Sequence, residues 1–237
     1  MLAVLLYACT KGPTPEEELW EASKSIQFAS QAALGPHKLE ATVVEQWPRN
    51  DGRDDRHTIE LSWGHWDHWE LRRIRDGKVV QHVLVVDGTA WTDKGGGFER
   101  RDDAELYRGE LSQNWDVFSP FLHAYADHFD VEYLGETVVE GRPAFRYGLR
   151  YAEPEPEPDE EEAEKGKKKK RKQKKKQRYR PTALAGEVVL DGASAVRLQV
   201  SVEGIVETGT TTVRTRTDQL RVVRSQFGEF PELSPPE

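Results

Sequence analysis

The stretch WGHWDHW, residues 63–69, groups side chains that could do chemistry. His65, Asp67 and His68 offer three potential ligands for a metal such as zinc. In a continuous strand His65 and His68 face opposite sides, so they converge only if the chain turns between them. The sequence offers no obvious fourth ligand. We therefore predict no metal site and no cofactor, and we interpret these histidines as residues of a strand end or hairpin.

Motifs that mark common enzyme classes are missing from the sequence. It has no Walker phosphate loop, no G-x-G-x-x-G after a strand, no G-x-S-x-G and no C-x-x-C. The three glycines at 95–97 are not followed by Lys-Ser/Thr, as a phosphate-binding loop would require. We therefore interpret them as a plain loop. Carboxylates are abundant, but no pattern in the sequence indicates that two of them form a buried pair. We predict a protein that is not an enzyme and has no catalytic residues. A hydrolase with scattered residues is the alternative.

Cys9 is the only cysteine, so no intrachain disulfide can form. It follows the apolar run MLAVLLYA, and residues 6–9, LYAC, resemble the lipobox of bacterial lipoproteins. In that family the peptide is cut before the cysteine, which is then lipidated. Tyr7 is bulkier than the residue usual there, and a cationic region is missing, so we expect the true start to lie further upstream. The alternative is an apolar N-terminus with a free thiol.

Bulk composition limits the class of protein. The 237 residues suit one β-rich domain, or a domain with extra segments. The net charge of −8 argues against general affinity for nucleic acid. No apolar run reaches the roughly 18–20 residues that a spanning helix needs. We predict a monomer without a nucleic-acid partner, whose contact with a membrane is made through lipidated Cys9.

Two segments have helical periodicity. Thr14-Pro15-Glu16-Glu17 predicts the start of a helix over 15–34, because Thr14 can cap it and Pro15 fits its first turn. Gly35-Pro36 ends that helix. The second segment carries an apolar stripe with steps of three or four residues, in which Ser119-Pro120 marks a start or a kink. The stripe consists of Leu111, Trp115, Phe118, Leu122, Tyr125 and Phe129.

Strands make up most of the remaining chain. Asp76-Gly77, Asp87-Gly88 and Glu140-Gly141 each join two runs in the pattern of a tight hairpin. In 196–203 apolar residues alternate with Arg197, Gln199, Ser201 and Glu203. Strands that neighbour one another in sequence pair antiparallel, and the order helix, strands, helix, strands places helices on one face. The predicted fold class is therefore α+β, an antiparallel sheet with helices packed across one face.

Residues 153–181 interrupt this pattern with a charged insertion. Within 153–180, eight acidic residues precede twelve basic ones, a composition that cannot bury apolar surface. We predict that the insertion is disordered and that its deletion leaves the fold intact. Three interpretations stay open: a solvated loop, a contact of the basic run at 165–180 with an anionic lipid or polysaccharide surface, and nucleic-acid binding. The acidic remainder of the chain disfavours the third.

These features divide the chain into four parts. Residues 1–14 are the signal-peptide remnant with its lipobox and tether. Residues 15–152 and 182–230 form a single domain, from which the insertion 153–181 loops out. Residues 231–237 are a Pro-rich tail that we expect to be loose.

Large apolar side chains are concentrated on the predicted strands and the second helix. Most of them are expected to form the hydrophobic core. The alternative is that they line a cavity, since large rings provide apolar walls with few polar atoms. The candidates for such a lining are Trp63, Trp69, Trp91, Trp115, Phe118, Leu122, Tyr125 and Phe145.

The combined pattern resembles the bacterial lipoprotein-carrier superfamily, with its LolA-like periplasmic carriers, LppX/LprG-like mycobacterial lipoproteins and RseB/MucB-like envelope-stress sensors. The resemblance is carried by VVDGTAW at 85–91, LGETVVEGRPA at 134–144 running into YGL at 147–149, and GEVVLD at 186–191. It spans about 15–230 without the insertion. It implies a curved antiparallel sheet, an incomplete β-barrel or half-barrel, with helices packed across its concave face. Family members hold acyl chains or lipoproteins in the resulting apolar cup.

From this resemblance we expect a non-enzymatic lipoprotein of the bacterial cell envelope, anchored at the outer membrane or another envelope membrane and facing the periplasm or cell surface. A lipid or an acylated lipoprotein would be its partner, bound by the candidate lining residues. The alternative is an envelope sensor or scaffold that binds a protein partner, with its cup filled by side chains. An open apolar cavity favours the first function and a filled cup favours the second.

Overall fold

In a computed structural model of the protein, the described residues are 14–25, 30, 32–47, 54–126, 128–153, 178–209 and 212–236. Cys9 with its lipobox, and the insertion from 154 to 177, lie outside them. Among the helices of the described ranges, none is both long and apolar enough to cross a bilayer.

Helix α1 spans Pro15–Lys24 and begins where the sequence predicts. The Thr14 backbone N–H donates to Glu17 Oε2 at 2.7 Å, and Thr14 Oγ1 accepts from the Glu17 N–H at 3.3 Å. These two bonds complete a capping box, which satisfies backbone donors that the first turn leaves free. Of the predicted range beyond Lys24, residues 26–29 and 31 lie outside the described residues.

Eleven strands form one antiparallel sheet within the described residues. The strands are β1 His37–Gln46, β2 Asp55–His65, β3 His68–Arg75, β4 Lys78–Val86, β5 Thr89–Asp93, β6 Glu99–Arg101, β7 Phe129–Val139, β8 Arg142–Tyr151, β9 Arg178–Asp191, β10 Arg197–Gly209 and β11 Arg214–Ser225.

The sheet consists of two meanders that meet in its middle. Strands β1 to β6 follow one another on one side, β7 to β11 on the other, and β1 pairs with β11. Strands β6 and β7 are the free edges, so the sheet does not close into a barrel. With helices on its concave face, this confirms the predicted α+β half-barrel.

The three predicted hairpin turns are confirmed. Asp76-Gly77, Asp87-Gly88 and Glu140-Gly141 all have φ values between 46° and 82°. Two successive residues at positive φ make a type I′ turn, whose twist matches that of the flanking strands. Glycine at the second position tolerates this backbone without a steric penalty.

The second helical segment is broken into three pieces. A 3₁₀ turn at Ala104–Tyr107 leads into helix α2, Arg108–Trp115, and helix α3 follows at Phe118–His123. Asp116 makes the break: its Oδ1 accepts from the N–H groups of Phe118 and Ser119, both at 3.2 Å. The predicted start or kink at Ser119-Pro120 therefore falls just inside α3. Phe129 does not continue the helical stripe, because it begins β7.

The main core lies between the concave face of the sheet and the helices. It combines Trp20 from α1, Leu111 and Trp115 from α2 and Phe118 from α3 with inward residues of the strands. Burial of these rings is the main source of stability that holds short helices on a sheet.

One predicted boundary changes in the structure. Strand β9 begins at Arg178 and pairs with β10 from there, so residues 178–181 belong to the sheet and not to the insertion. Charge composition hid this pairing, because backbone hydrogen bonds need no apolar side chain. At the other end, residues 229–236 contain no helix or strand, but the Pro231 carbonyl accepts a hydrogen bond from His68 Nε2 at 3.0 Å.

Candidate functional site

Five of the predicted lining residues fill the space between sheet and helices. Trp63 and Trp69 project from β2 and β3, and Trp115, Phe118 and Tyr125 come from the helical segment. None of the five side chains is more than 2% exposed. The Trp63 and Trp115 rings meet edge to face, with centroids 4.6 Å apart, an arrangement that aromatic pairs prefer. The centre of the cup is therefore packed with side chains.

The other three predicted lining residues are partly buried and lie apart from one another. Trp91 is on β5, next to the edge strand β6. Leu122 on α3 packs against the margin of the core. Phe145 on β8 has its ring centroid 6.2 Å from that of Tyr133 on β7. None of the eight predicted residues borders the cleft described below.

His65 and His68 do come together, because β2 turns tightly into β3 between them. Their ring centroids are 5.9 Å apart, and the Phe230 ring of the C-terminal tail stacks on His68 at 4.7 Å. The Asp67 backbone N–H donates to His65 Nδ1 at 3.1 Å. Across the described part of the chain, no group of three His, Cys, Asp or Glu side chains is arranged to hold a metal ion.

A cleft of about 330 Å³ opens between the sheet and helices α2 and α3. Strands β1, β2, β3 and β11 supply one wall and the helices supply the other. The apolar part of its lining is Val43, Val44, Ile59, Val117, Pro120, Phe121 and Ala124. The polar part is Glu45, His57, Arg73, Asn114, Arg216 and Asp218.

Strand register explains why the cleft is apolar inside and charged at its mouth. Successive side chains of a strand alternate between the two faces, so every second residue faces the helices. On four adjacent strands that inward row changes from apolar to polar or charged toward the same end, at the same level on β1 and β11, one inward position earlier on β2 and one earlier again on β3. The inward rows are Leu39, Ala41, Val43 and Glu45 on β1, Trp63, Leu61, Ile59 and His57 on β2, Trp69, Leu71 and Arg73 on β3, and Val222, Leu220, Asp218 and Arg216 on β11.

Asp218 is the centre of the charged end. Its Oδ2 accepts hydrogen bonds from Tyr125 Oη at 2.9 Å and from Arg216 Nη2 at 2.8 Å. Arg216 Nε lies 2.6 Å from Oδ1, and Arg216 also reaches Glu45 at 3.4 Å. Burial, and then the Asp218 charge, raise the pKa of the Tyr125 hydroxyl above its ordinary value. The phenol therefore stays a hydrogen-bond donor at neutral pH.

Gly204 on β10 makes room for the Tyr125 ring. A Cβ at this position would lie 2.5 Å from Tyr125 Cζ and 2.6 Å from Cε1. We expect Gly204→Ala to displace the ring, weaken its bond to Asp218 and lower the free energy of unfolding by about 1–3 kcal/mol, the usual effect of overpacking. Urea denaturation measures this.

A second glycine is the matched control for that variant. Gly109 lies within α2, and a Cβ there would meet nothing within 4 Å. Because alanine is the better helix former, Gly109→Ala should raise the stability. Equal effects of the two substitutions would contradict the close approach of Tyr125 to β10.

Two titratable groups at the mouth of the cleft have pKa values shifted from their ordinary values. Burial and the Arg73 charge lower the pKa of His57, and Asp55 only partly opposes them. The imidazole is therefore neutral at pH 7. Burial raises the pKa of Glu45; Arg216 opposes this shift, and Asp218 and Asp55 reinforce it.

A buried ion pair fixes the helices over the packed cup. Arg197 on β10 is 6% exposed, and its Nη1 lies 3.1 and 3.2 Å from the two Asp116 carboxylate oxygens. Its Nη2 donates to the Ser23 carbonyl at 2.6 Å, and its guanidinium lies 4.5 Å from the centre of the Phe118 ring. Burial alone would raise the pKa of Asp116, but Arg197 and Ser119 outweigh it and hold that pKa below its usual value. One side chain thus joins the end of α1 to the junction of α2 and α3.

Arg224 on β11 and His37 on β1 complete this buried layer. Arg224 donates to the carbonyls of Arg197 and Trp115, the latter at 3.1 Å. Burial lowers the pKa of Arg224 to about 9, so it stays charged at neutral pH. Burial, and then the Arg224 charge, lower the pKa of His37 to about 4. This layer closes off the packed cup and positions the helices that form one wall of the cleft.

The sequence predictions placed the site on the large rings and missed the residues that line the cleft. A signal was present: the inward row of β1 passes from Val43 to Glu45, and that of β11 passes from Leu220 to Asp218. Charged residues on the inward face at the same end of neighbouring strands indicate an opening in the core. The register between strands is needed to see that these residues border one cleft.

Comparison with known proteins gives structural likeness only. No family model and no curated protein matches the chain. Among solved structures, MucB aligns with 92% of this chain at 19% identity and a TM-score of 0.30, and the chain covers 61% of MucB. LprF from Mycobacterium bovis aligns with 93% of this chain and 98% of its own, at 11% identity and a TM-score of 0.34. The lipoprotein LppX from Mycobacterium tuberculosis aligns with 92% of this chain and 98% of its own, at 10% identity and a TM-score of 0.33. The chain is similar in structure to these three proteins.

Proposed function

We propose that the protein binds the acyl chain of a lipid, or a similar apolar chain, in the cleft between the sheet and helices α2 and α3, and that it catalyses no reaction. The observation that carries this proposal is the construction of the cleft. Val43, Ile59 and Phe121 give it apolar walls, and its charged mouth opens to solvent. Each CH₂ group transferred from water to such walls contributes roughly 0.8 kcal/mol.

The volume of the cleft fits one chain of moderate length. A water molecule takes up about 30 Å³ of liquid volume, and a methylene group is of similar size. About 330 Å³ therefore holds on the order of ten heavy atoms. The cleft is at the small end of the range for ligand sites. A short single-chain molecule such as 1-octanol is a suitable probe.

The cluster of Asp218, Arg216 and Tyr125 beside the cleft supports binding without catalysis. Asp218 Oδ2 accepts hydrogen bonds from Tyr125 and Arg216, and Arg216 Nε lies 2.6 Å from Oδ1, so the carboxylate is ion-paired within the protein. A general base needs a free lone pair within hydrogen-bonding reach of the substrate. Tyr125 with its raised pKa is a poor nucleophile at neutral pH.

Isothermal titration calorimetry with 1-octanol tests the proposal. We expect one molecule to bind per chain. Ala124→Trp should weaken binding at least tenfold, because Ala124 lines the cleft and an indole there would fill it. Ala126→Trp is the matched control, since Ala126 is exposed and does not line the cleft, and it should bind like the wild type. Absence of binding to the wild type, or equal binding to all three proteins, would refute the proposal.

A second candidate function is an envelope sensor or scaffold that binds a protein partner. The packed centre of the cup favours it, because five of the predicted lining side chains already fill the space that a large lipid would need. This function predicts that 1-octanol does not bind and that a complex with the partner survives Ala124→Trp. The calorimetric experiment therefore also separates the two candidates.

We also propose that the protein is a lipoprotein of the bacterial envelope, anchored at a membrane through lipidated Cys9. The sequence LYAC supports this proposal, and Cys9 lies outside the described residues. Contact of the basic run at 165–180 with anionic lipid would reinforce the anchoring, at about 1 kcal/mol for each basic residue near the surface.

Metabolic labelling tests the anchor. Cells given radiolabelled palmitate should incorporate the label into the wild-type protein and into Thr10→Ser, which keeps the cysteine. Cys9→Ser should lose the label and leave the membrane fraction, because a thiol is the acceptor for the lipid. Label retained in Cys9→Ser would contradict lipidation at this residue.

A further inference from the structure

We infer that the ligand of the cleft is a single-chain amphiphile with an anionic head, and that Arg73 binds this head at the mouth. The inference rests on the proposed function and specifies its ligand class. The head is a carboxylate or a phosphate monoester, because both present oxygen pairs that match the two-pronged guanidinium group.

Arg73 lies at the mouth of the cleft, where the head group of a bound amphiphile would lie. It pairs across the strands with Ile59 and follows Trp69 and Leu71 on the inward row of β3. It is partly exposed, and it lines the cleft together with Ile59 and Phe121. A chain packed against those apolar walls therefore has its open end beside the guanidinium.

The other arginines near the mouth already have carboxylate partners. Arg216 is bound to Asp218 and reaches Glu45. Arg75 contacts Asp55 twice, from Nε and Nη2, each at 3.0 Å. The Arg73 guanidinium, by contrast, has neither a hydrogen bond nor an ion pair with any residue in the described part of the chain. It is the positive group at the mouth that remains available to a ligand.

The positive charge of Arg73 acts on groups inside the cleft. It lowers the pKa of His57, the inward residue of β2 beyond Ile59, and thereby favours the neutral imidazole. The same field favours an anion in that space and disfavours a cationic head. A neutral His57 can still donate one ring N–H to an anionic oxygen.

Calorimetry with matched ligands tests the inference. Octanoate, octyl phosphate and 1-octanol share one chain and differ in the head. We expect the wild type to bind at least one of the two anions about tenfold more tightly than 1-octanol, the size of effect typical of a charge-assisted hydrogen bond. Arg73→Gln should abolish that preference and leave 1-octanol binding unchanged. Arg72→Gln is the control: it removes the same charge one residue away, on the opposite face of β3.

Each remaining outcome has a distinct meaning. Equal binding of all three ligands to the wild type would overturn the head-group inference and leave the proposed function standing. Failure of all three to bind would overturn both. Loss of 1-octanol binding in Arg73→Gln would show that Arg73 shapes the cleft rather than binding the head. Displacement of octanoate by an equal concentration of acetate would show a simple anion site and would also overturn the inference.

Discussion

Replacing Arg197 with alanine is expected to lower the free energy of unfolding by about 3–5 kcal/mol, the usual result of removing one partner of a buried ion pair. The variant leaves the Asp116 carboxylate without the guanidinium beside it. It also removes the donor to the Ser23 carbonyl and the contact with the Phe118 ring. Because one side chain ties α1 to the α2–α3 junction, both attachments weaken together.

Urea denaturation followed by tryptophan fluorescence measures this loss. Arg146→Ala is the control, because Arg146 makes a two-pronged ion pair with Glu187 on the surface, where water screens the charges. We expect a much smaller change for the control. Comparable losses in the two variants would contradict the claim that Arg197 is the buried attachment point of the helices.

The second large effect is a dependence of stability on pH through His37. Its Nδ1 bonds the Gly35 carbonyl at 2.8 Å, and the side chain is almost fully buried. Burial and the Arg224 charge lower its pKa to about 4, from an ordinary value of 6.5. Between these pH values the unfolded chain binds more protons than the folded one, so stability falls as the pH falls. The loss contributed by His37 reaches about 3 kcal/mol near pH 4 and levels off below it.

Denaturation of wild type and His37→Phe from pH 7 to pH 4 isolates this contribution, since carboxylates titrate alike in both proteins. The phenylalanine ring keeps the contacts with Trp115 and Phe227 but cannot take up a proton. We expect its stability to fall less steeply with acid. His123→Gln, which alters an exposed histidine on α3, should keep the slope of the wild type. A slope unchanged in His37→Phe would show that His37 is not a buried neutral group.

Local signals in the sequence predicted the elements well, because the interactions that form them are local. The capping box needs only Thr14 and Glu17, and each hairpin needs only a two-residue turn at positive φ. Pairing between sequential strands then gives both meanders. The pairing of β1 with β11, which joins them, is between distant parts of the chain, and no local signal predicts it.

Burial of charge was harder to predict. The alternation over 196–203 groups Arg197 with Gln199, Ser201 and Glu203, yet Arg197 is buried and Gln199 is exposed. A register shift between Arg197 and Gln199 in the β9–β10 pairing breaks the period of two at this point. Such a bulge re-aims one side chain, and nothing in a hydrophobic pattern reports it.

The same limit applies to the site. Periodicity shows that Trp63 and Trp115 face inward, but it does not show whether the opposite layer fills the space between them. In the structure the two rings touch each other, and a cleft opens where the inward rows become charged. Only the three-dimensional register between four strands brings Val43, Ile59 and Asp218 to one cleft.

Native mass spectrometry of the full chain purified from a bacterial envelope, with lipid extraction of the same sample, tests the central claim most directly. The account predicts a non-covalent single-chain adduct on the wild type that is released by collisional activation and is absent from Ala124→Trp. The same adduct should be present on Ala126→Trp. A wild type that carries no adduct, or an adduct that persists in Ala124→Trp, would contradict the account and favour a protein partner over a lipid.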